Sequence, residues 1–182
     1  ERLKLCYGWE LIEAVNLLKD QPVKGLVIGG GSGIPRLQAS AKRYGVEDRV
    51  IFLGHIPYHE LPQHINVIDI CLSTQTNDLV GQVRTTGKLP LYLACGRYVL
   101  ASKVGEAAII LPDEMLVEYN GVKDADYPRR LAERILLVLQ NRRLLDRGAS
   151  NIELAKRHFD YSVLAERMQA VFDRVFESEI DA

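Results

Sequence analysis

Residues 85–102 of this chain read TTGKLPLYLACGRYVLAS, and this stretch decides the predicted fold. Polar residues 85–88 precede an apolar run with helical spacing, Gly96 ends that run, and residues 98–101 form a continuous apolar strand. A loop that opens a helix presents backbone N–H groups at the positive end of the helix dipole, where a phosphate binds well. Nucleotide binding is therefore the first hypothesis about function.

Composition narrows the class of protein. The chain has 182 residues, of which 47% are hydrophobic, and a formal net charge of -1, so we expect one domain over residues 1–182. The balanced charge gives no reason to expect nucleic acid as a partner. No stretch is long enough to span a bilayer, and Cys71 and Cys95 lie in apolar runs typical of reduced core thiols, which together predict a cytoplasmic protein.

Elements upstream of residue 85 alternate between strand and helix. Apolar runs predict strands at residues 24–28, 49–53 and 67–72, with helices over 8–19, around Leu37 to Tyr44, and over 60–66. Such βαβ units predict an α/β fold, a Rossmann-like, doubly wound parallel sheet with helices on both faces. From about residue 124 the pattern is helical, and the apolar stripe of the last helix is expected to bury partly against something outside the chain.

Small or polar residues follow each predicted strand. They stand at residues 29–33, 54–55, 73–74 and 102. The carboxyl ends of parallel strands meet at one edge of a sheet, so these residues predict a shared ligand crevice. Glu106 lies close to the same edge, where it either contacts a ligand or simply faces the dipole of the next helix.

Two other kinds of site are disfavoured. The glycines of residues 29–33 lack the spacing of a dinucleotide fingerprint, and no acidic residue ends the next strand to hold a ribose. His55, His59 and His64 lie on a loop and a proline-interrupted short helix, which does not suit a metal site. We therefore expect neither a nicotinamide cofactor nor a metal.

Several short motifs follow one another along nearly the whole chain. They read GWELIEA (8–14), LVIGGG (26–31), DRVIFLGHIP (48–57), IDICLS (68–73), KLPLYLACG (88–96) and ASKVG (101–105). In this order they resemble the C-terminal domain of retaining glycosyltransferases with the GT-B fold, the glycogen-synthase and mannosyltransferase-like group. The resemblance implies the half of a two-domain enzyme that binds a nucleotide-diphosphate sugar. An N-terminal domain of the same protein would then bind the acceptor, either in solution or at a membrane surface.

The resemblance also implies roles for particular residues, although it assigns no catalytic residue. The nucleobase would lie along His55 and Ile56, and the crevice would be lined by Gly29, Gly30 and Gly31. The diphosphate would be held by Thr86, Gly87 and Lys88, with Arg2 as a further phosphate contact. Tyr7 stands where a second cationic residue is usual, with Lys4 as a substitute. No cofactor is implied.

Two departures from that family leave the activity open. Leu91 and Val83 occupy the positions of two glutamates, one of which holds the ribose hydroxyls. A carboxylate in that role contributes about 1.5–3 kcal/mol, roughly one to two decades of affinity. Asp78, Gln82 and Glu106 are the nearby polar side chains that could compensate. The alternatives are a degenerate, non-catalytic transferase domain and a nucleotide-sugar epimerase.

Overall fold

The computed structural model describes residues 8–180. Its strands are β1 (Gly25–Ile28), β2 (Val50–Gly54), β3 (Ile70–Ser73), β4 (Tyr98–Ser102) and β5 (Leu116–Val117). Its α-helices are α1 (Trp9–Leu17), α2 (Ile34–Tyr44), α3 (Leu61–Asn66), α4 (Leu79–Val83), α5 (Lys88–Ala94), α6 (Gly105–Ile110), α7 (Tyr127–Gln140), α8 (Asn151–Phe159) and α9 (Tyr161–Ile180). The predicted alternation of strand and helix is confirmed.

Most predicted boundaries agree with the structure to within a few residues. The clearest error is at β3, which begins at Ile70 rather than at Val67. Val67 ends α3, and the Ile68 amide still donates to the Ile65 carbonyl oxygen at 3.0 Å, so these residues close the helix instead of starting the strand. The five-residue helix α4 and the two-residue β5 were not predicted, because they are too short to show periodicity.

All the strand pairings are parallel, which confirms the predicted fold class, but they form two sheets instead of one. The first sheet has the order β1-β2 and the second the order β3-β4-β5. Helices lie on both sides of these strands. Between β1 and β3 the structure has a cavity of about 1110 Å³ rather than a strand pairing.

Two apolar clusters hold the elements together. The larger cluster surrounds β4, whose five residues are all buried, because a central parallel strand is covered on both faces. The smaller cluster joins α1 and α2 to the first sheet through Ile12, Val15, Leu37 and Val50. Cys71 is buried and Cys95 half-buried, both as free thiols, and burial raises the pKa of Cys71 to about 12. Cys6 lies outside the described residues.

The segment Arg142–Ser150, a run of 3₁₀ helix, passes directly over the turn between α5 and β4. A Cβ atom on Gly148 would lie 2.6 Å from both the Gly96 carbonyl oxygen and the Tyr98 amide nitrogen. Just beyond it, Asn151 donates from Nδ2 to the Arg97 carbonyl oxygen at 2.8 Å. Backbone lies against backbone here, so glycine at 148 lets the C-terminal helices reach β4.

Asp160 caps the last helix. Its Oδ1 accepts hydrogen bonds from the amide and the hydroxyl of Ser162. Leu164, Met168 and Phe172 on α9 are exposed. The expectation that this stripe packs against something outside the chain stays a prediction.

Candidate functional site

Two glycine turns begin the site at the carboxyl ends of β1 and β2. Gly29 and Gly54 have φ angles of 123° and 71°, in the region that favours glycine. The Gly29 amide donates to the Gly54 carbonyl oxygen at 2.7 Å, which fixes one turn against the other. The prediction that these strand ends lie together is confirmed by this bond.

The next residues of these turns contact each other. A Cβ atom on Gly30 would lie 2.4 Å from Nε2 and 2.7 Å from Cδ2 of His55, so the outer edge of the imidazole occupies the place that a side chain at position 30 would take. His55 is exposed, Ile56 is half-buried, and Gly31 is exposed beside them. An exposed ring on a bare backbone presents a surface on which a planar group can stack.

The loop between β3 and α5 is tied down by buried polar side chains. The hydroxyls of Ser73 and Thr86 are 3.3 Å apart, and Ser102 Oγ accepts from the Gln75 amide at 2.7 Å. The side chain of Gln75 donates to the carbonyl oxygens of Gly81 at 3.3 Å and Arg84 at 2.6 Å. Sequence analysis missed Gln75, although a polar run after a strand was a signal for it.

Helix α5 begins at the end of this loop. Gly87 occupies its N-cap position with φ -59° and ψ -16°, and it makes no side-chain capping bond. Thr86 is buried, whereas Gly87 and Lys88 are exposed. Of these three residues, Lys88 lines the cavity between β1 and β3, and the assignment of the diphosphate to Thr86, Gly87 and Lys88 stays a prediction.

Lys88 lies near a buried carboxylate that sequence analysis did not identify. Glu10, in the first turn of α1, is 2% exposed and accepts from the Gly8 amide at 3.1 Å. Burial raises the pKa of Glu10, and the positive charge of Lys88 offsets part of that rise. Lys88 lines the cavity. Its partial removal from water lowers its pKa, and the negative charge of Glu10 offsets part of that decrease. These two groups, 78 positions apart, stabilise each other's charge.

Glu106, on α6, contacts the loop that precedes α5. It stands in the first turn of α6, and one of its carboxylate oxygens accepts a hydrogen bond from the Thr85 hydroxyl. Its place in the first turn of α6 agrees with the helix-dipole hypothesis, and a ligand contact stays a prediction.

Leu91 and Val83, the apolar residues at the two positions where the resembled family has glutamate, differ in their surroundings. Leu91 is half-buried and packs against the larger core cluster, while Val83 is 84% exposed on α4. Asp78 caps α4 by accepting from the Gly81 amide at 2.8 Å, and Gln82 donates to Asn77 at 2.6 Å. Of the three compensating residues named from the sequence, Asp78 thus has a structural role.

Three further predictions concern a phosphate contact, a metal site and a membrane-spanning helix. Arg2, together with Lys4 and Tyr7, lies outside the described residues. Within residues 8–180, no group of three or more His, Cys, Asp and Glu side chains is arranged to hold a metal ion. The helices of that same range include none with the length and apolar character needed to cross a membrane.

The chain is similar to known proteins in sequence and in structure. A family model described as "Glycosyl transferases group 1" matches residues 9–141. No curated protein sequence matches the chain.

Solved structures share the fold at low sequence identity. Anabaena Alr3699/HepE in complex with UDP-glucose is 21% identical with a TM-score of 0.74, over 93% of this chain and 45% of that one. A glycosyltransferase from Rickettsia africae ESF-5 is 15% identical with a TM-score of 0.75, over 97% and 46%. Sucrose-phosphate synthase from Thermosynechococcus elongatus is 23% identical with a TM-score of 0.68, over 92% and 42%. The chain spans less than half the length of each.

Proposed function

This chain belongs to the group 1 glycosyl transferases, and from that premise we propose that it is the donor-binding domain of a retaining glycosyltransferase, similar to the glycogen-synthase and mannosyltransferase group. The donor would be a nucleotide-diphosphate sugar. Because the chain spans less than half of its structural neighbours, a second domain of the same protein would bind the acceptor. The proposal includes no metal and no cofactor.

The observation that carries this proposal is that Gly30, which His55 contacts, and Lys88 line the same cavity. His55 over Gly30 offers a surface for the nucleobase, and Lys88 at the start of α5 offers a positive charge for the diphosphate. Among the structural neighbours, HepE is described in complex with UDP and with UDP-glucose. We therefore propose UDP as the nucleotide.

Lys88 would act on the leaving group. As the bond from the sugar to the diphosphate breaks, negative charge grows on the phosphate oxygens, and a fixed positive charge there stabilises the transition state. The acceptor oxygen forms the new bond to the anomeric carbon, and its proton passes to the departing diphosphate. Arg2, which resembles a phosphate-binding arginine of the family, is proposed as a second cationic contact.

The first prediction is weak binding without turnover. Isothermal titration of the 182-residue chain is expected to give a Kd for UDP of roughly 0.1–1 mM, about -4 to -5.5 kcal/mol. GDP and ADP should bind more weakly, and UDP-glucose should not be consumed. If none of the three nucleotides releases or absorbs heat at millimolar concentration, donor binding is wrong.

A second candidate function is a non-catalytic transferase domain, favoured by Leu91 and Val83. Leu91 packs against the core instead of offering a carboxylate to a ribose. The two functions differ in the full-length protein, where the first predicts sugar transfer and the second predicts UDP binding with no transfer. No observation favours an epimerase.

The second prediction tests the nucleobase surface. Gly30→Ala should push the His55 ring aside, because the new Cβ atom would overlap Nε2. We expect UDP affinity to fall roughly fivefold, the equivalent of about 1 kcal/mol. The free energy of unfolding should change by less than about 0.5 kcal/mol, since the exposed ring can move into solvent.

A double-mutant cycle supplies the control for this effect. In a His55→Ala background, Gly30→Ala is expected to leave UDP affinity unchanged, because the displaced ring is gone. An equal loss of affinity in both backgrounds would show that Gly30 acts without His55.

A further inference from the structure

Glu10 places an ionisable group in the interior beside the proposed donor site. Its side chain is 2% exposed, and it lines the same cavity as Gly30 and Lys88. Removing a carboxylate from water is costly unless hydrogen bonds and an opposite charge offset the loss of hydration. A glutamate at this position therefore needs partners that stabilise its charge.

Two hydrogen-bond donors hold the Glu10 carboxylate in place. Its Oε2 atom accepts from the Gly8 amide at 3.1 Å, and the Tyr119 hydroxyl forms a hydrogen bond to the same side chain. Burial, with the charge of Glu10 beside it, raises the pKa of Tyr119 to about 12, so this hydroxyl keeps its proton and acts as the donor. The carboxylate is thus fixed from α1 and from the segment that follows β5.

Tyr119 is held in turn by its own neighbours. Its ring centroid is 4.7 Å from that of Tyr127, a buried residue of α7. Its carbonyl oxygen accepts from Nδ2 of Asn77 at 3.0 Å, and the Asn77 amide donates to the Gly121 carbonyl oxygen at 2.8 Å. Burial also raises the pKa of Tyr127, so both tyrosines near Glu10 are neutral. This support ties the carboxylate to the loop between β3 and α4.

Lys88 supplies the opposite charge from the first residue of α5. Its positive charge lowers the pKa of Glu10, and the negative charge of Glu10 raises the pKa of Lys88. Burial lowers the pKa of Lys88, and the like charge of Arg84 lowers it further. Glu10 therefore supports the charge of Lys88 against both burial and a neighbouring cation.

We propose that Glu10 is a positioning residue for the diphosphate, whose fixed carboxylate holds the Lys88 ammonium at the cavity wall and keeps it charged. This inference rests on the proposed function, in which Lys88 binds the diphosphate. Glu10 acts through Lys88, because its own charge repels a phosphate. The ammonium has three N–H donors, so it can bond to a carboxylate and to a phosphate at the same time. A side chain that is already held loses less freedom when the ligand binds.

The titration of Lys88 in the chain without ligand is the first test. Carbon-13 NMR of the lysine-labelled chain follows each lysine, and the signal that disappears in Lys88→Met belongs to Lys88. In Glu10→Gln we expect the pKa of Lys88 to fall below its wild-type value, because an amide cannot offset burial and Arg84. Glu10→Asp keeps the charge and should cause a smaller fall. An unchanged pKa of Lys88 in Glu10→Gln would overturn the proposal.

Glu13→Gln is the matched control on the same helix. Glu13 accepts a hydrogen bond from the Tyr44 hydroxyl at 3.2 Å, so its substitution should leave the pKa of Lys88 unchanged. A glutamine at position 10 can still accept hydrogen bonds from Gly8 and Tyr119, so we expect Glu10→Gln to fold. Circular dichroism checks the fold of each variant.

The affinity for UDP as a function of pH is the second test. UDP should bind the charged form of Lys88, so its affinity falls as the pH rises through the pKa of that lysine. In Glu10→Gln this fall should begin at a lower pH. We expect the ratio of the Kd at pH 9 to the Kd at pH 7 to be roughly fivefold larger in Glu10→Gln than in wild type. In a Lys88→Met background, Glu10→Gln should leave the ratio unchanged.

Failure of this proposal differs from failure of the donor site. If the wild-type chain does not bind UDP, or if Lys88→Met binds it as tightly as wild type, the donor site is wrong and the role of Glu10 falls with it. If Lys88→Met weakens UDP binding while Glu10→Gln leaves the pH profile unchanged, the donor site stands and the role of Glu10 alone is wrong.

Discussion

Lys88→Met is expected to weaken UDP binding by about ten- to a hundredfold, the largest effect of any single side chain in the proposed site. Methionine keeps much of the length of the lysine side chain and removes its charge. A charge-assisted contact with a phosphate contributes about 1.5–3 kcal/mol, and its loss appears directly in the Kd. Titration calorimetry of the wild-type and variant chains measures the change.

Lys103→Met is the matched control, since the same substitution removes a lysine that pairs with Asp113 and Glu118 instead of bordering the crevice. It should leave the Kd for UDP unchanged. Equal Kd values for wild type and Lys88→Met would contradict the assignment of the diphosphate to α5.

The pH dependence of unfolding separates a folding effect from a binding effect in this variant. Without Lys88, the pKa of the buried Glu10 carboxyl rises further above its ordinary value of 4.5. The folded state then favours the protonated acid, so the contribution of Glu10 to stability is greatest below its unfolded pKa and falls as the pH rises from there to the raised pKa. The loss of stability relative to wild type should therefore be larger at pH 8 than at pH 5.

Gly148→Ala is expected to lower the free energy of unfolding by about 3 kcal/mol or more. The added Cβ atom would meet the backbone of residues 96–98 at 2.6–2.8 Å, and backbone in front of a fully buried strand cannot move aside cheaply. The C-terminal helices would have to shift away from β4. Urea unfolding followed by circular dichroism measures the change.

Gly87→Ala provides the comparison for stability. A Cβ atom on Gly87 would meet nothing within 4 Å, and its φ of -59° suits alanine. We expect a change between zero and about 1 kcal/mol in the stabilising direction, because alanine restricts the unfolded chain. If Gly148→Ala proves as mild as Gly87→Ala, the close backbone packing described above is wrong.

Much of the fold could be predicted because its signals are local. Continuous apolar runs end at glycine in β1 and β2, and the 3.6-residue period marks α1, α2 and α7. A general rule predicted a crevice at the carboxyl ends of the strands, because the carboxyl ends of parallel strands share one edge. Those predictions needed no knowledge of long-range contacts.

The rest depends on contacts between residues far apart in sequence. Nothing in the sequence around Glu10 indicates that its partner is Lys88, and the contact of His55 with Gly30 joins two different turns. The division of the strands into two sheets was also unpredictable. The pattern of apolar runs shows where strands form, but it does not show which strands pair. Tertiary packing decides such features.

The buried bonds of Gln75 have a consequence for the entropy of ligand binding. Its amide ties the segment between β3 and α5 to Ser102 of β4, and its side chain ties that segment to itself through Gly81 and Arg84. Ordering a mobile loop usually opposes association, because conformational freedom is lost when the ligand binds. Here that freedom is already lost on folding, so a phosphate that reaches Thr86 and Gly87 meets a rigid surface and retains more of its contact energy as affinity.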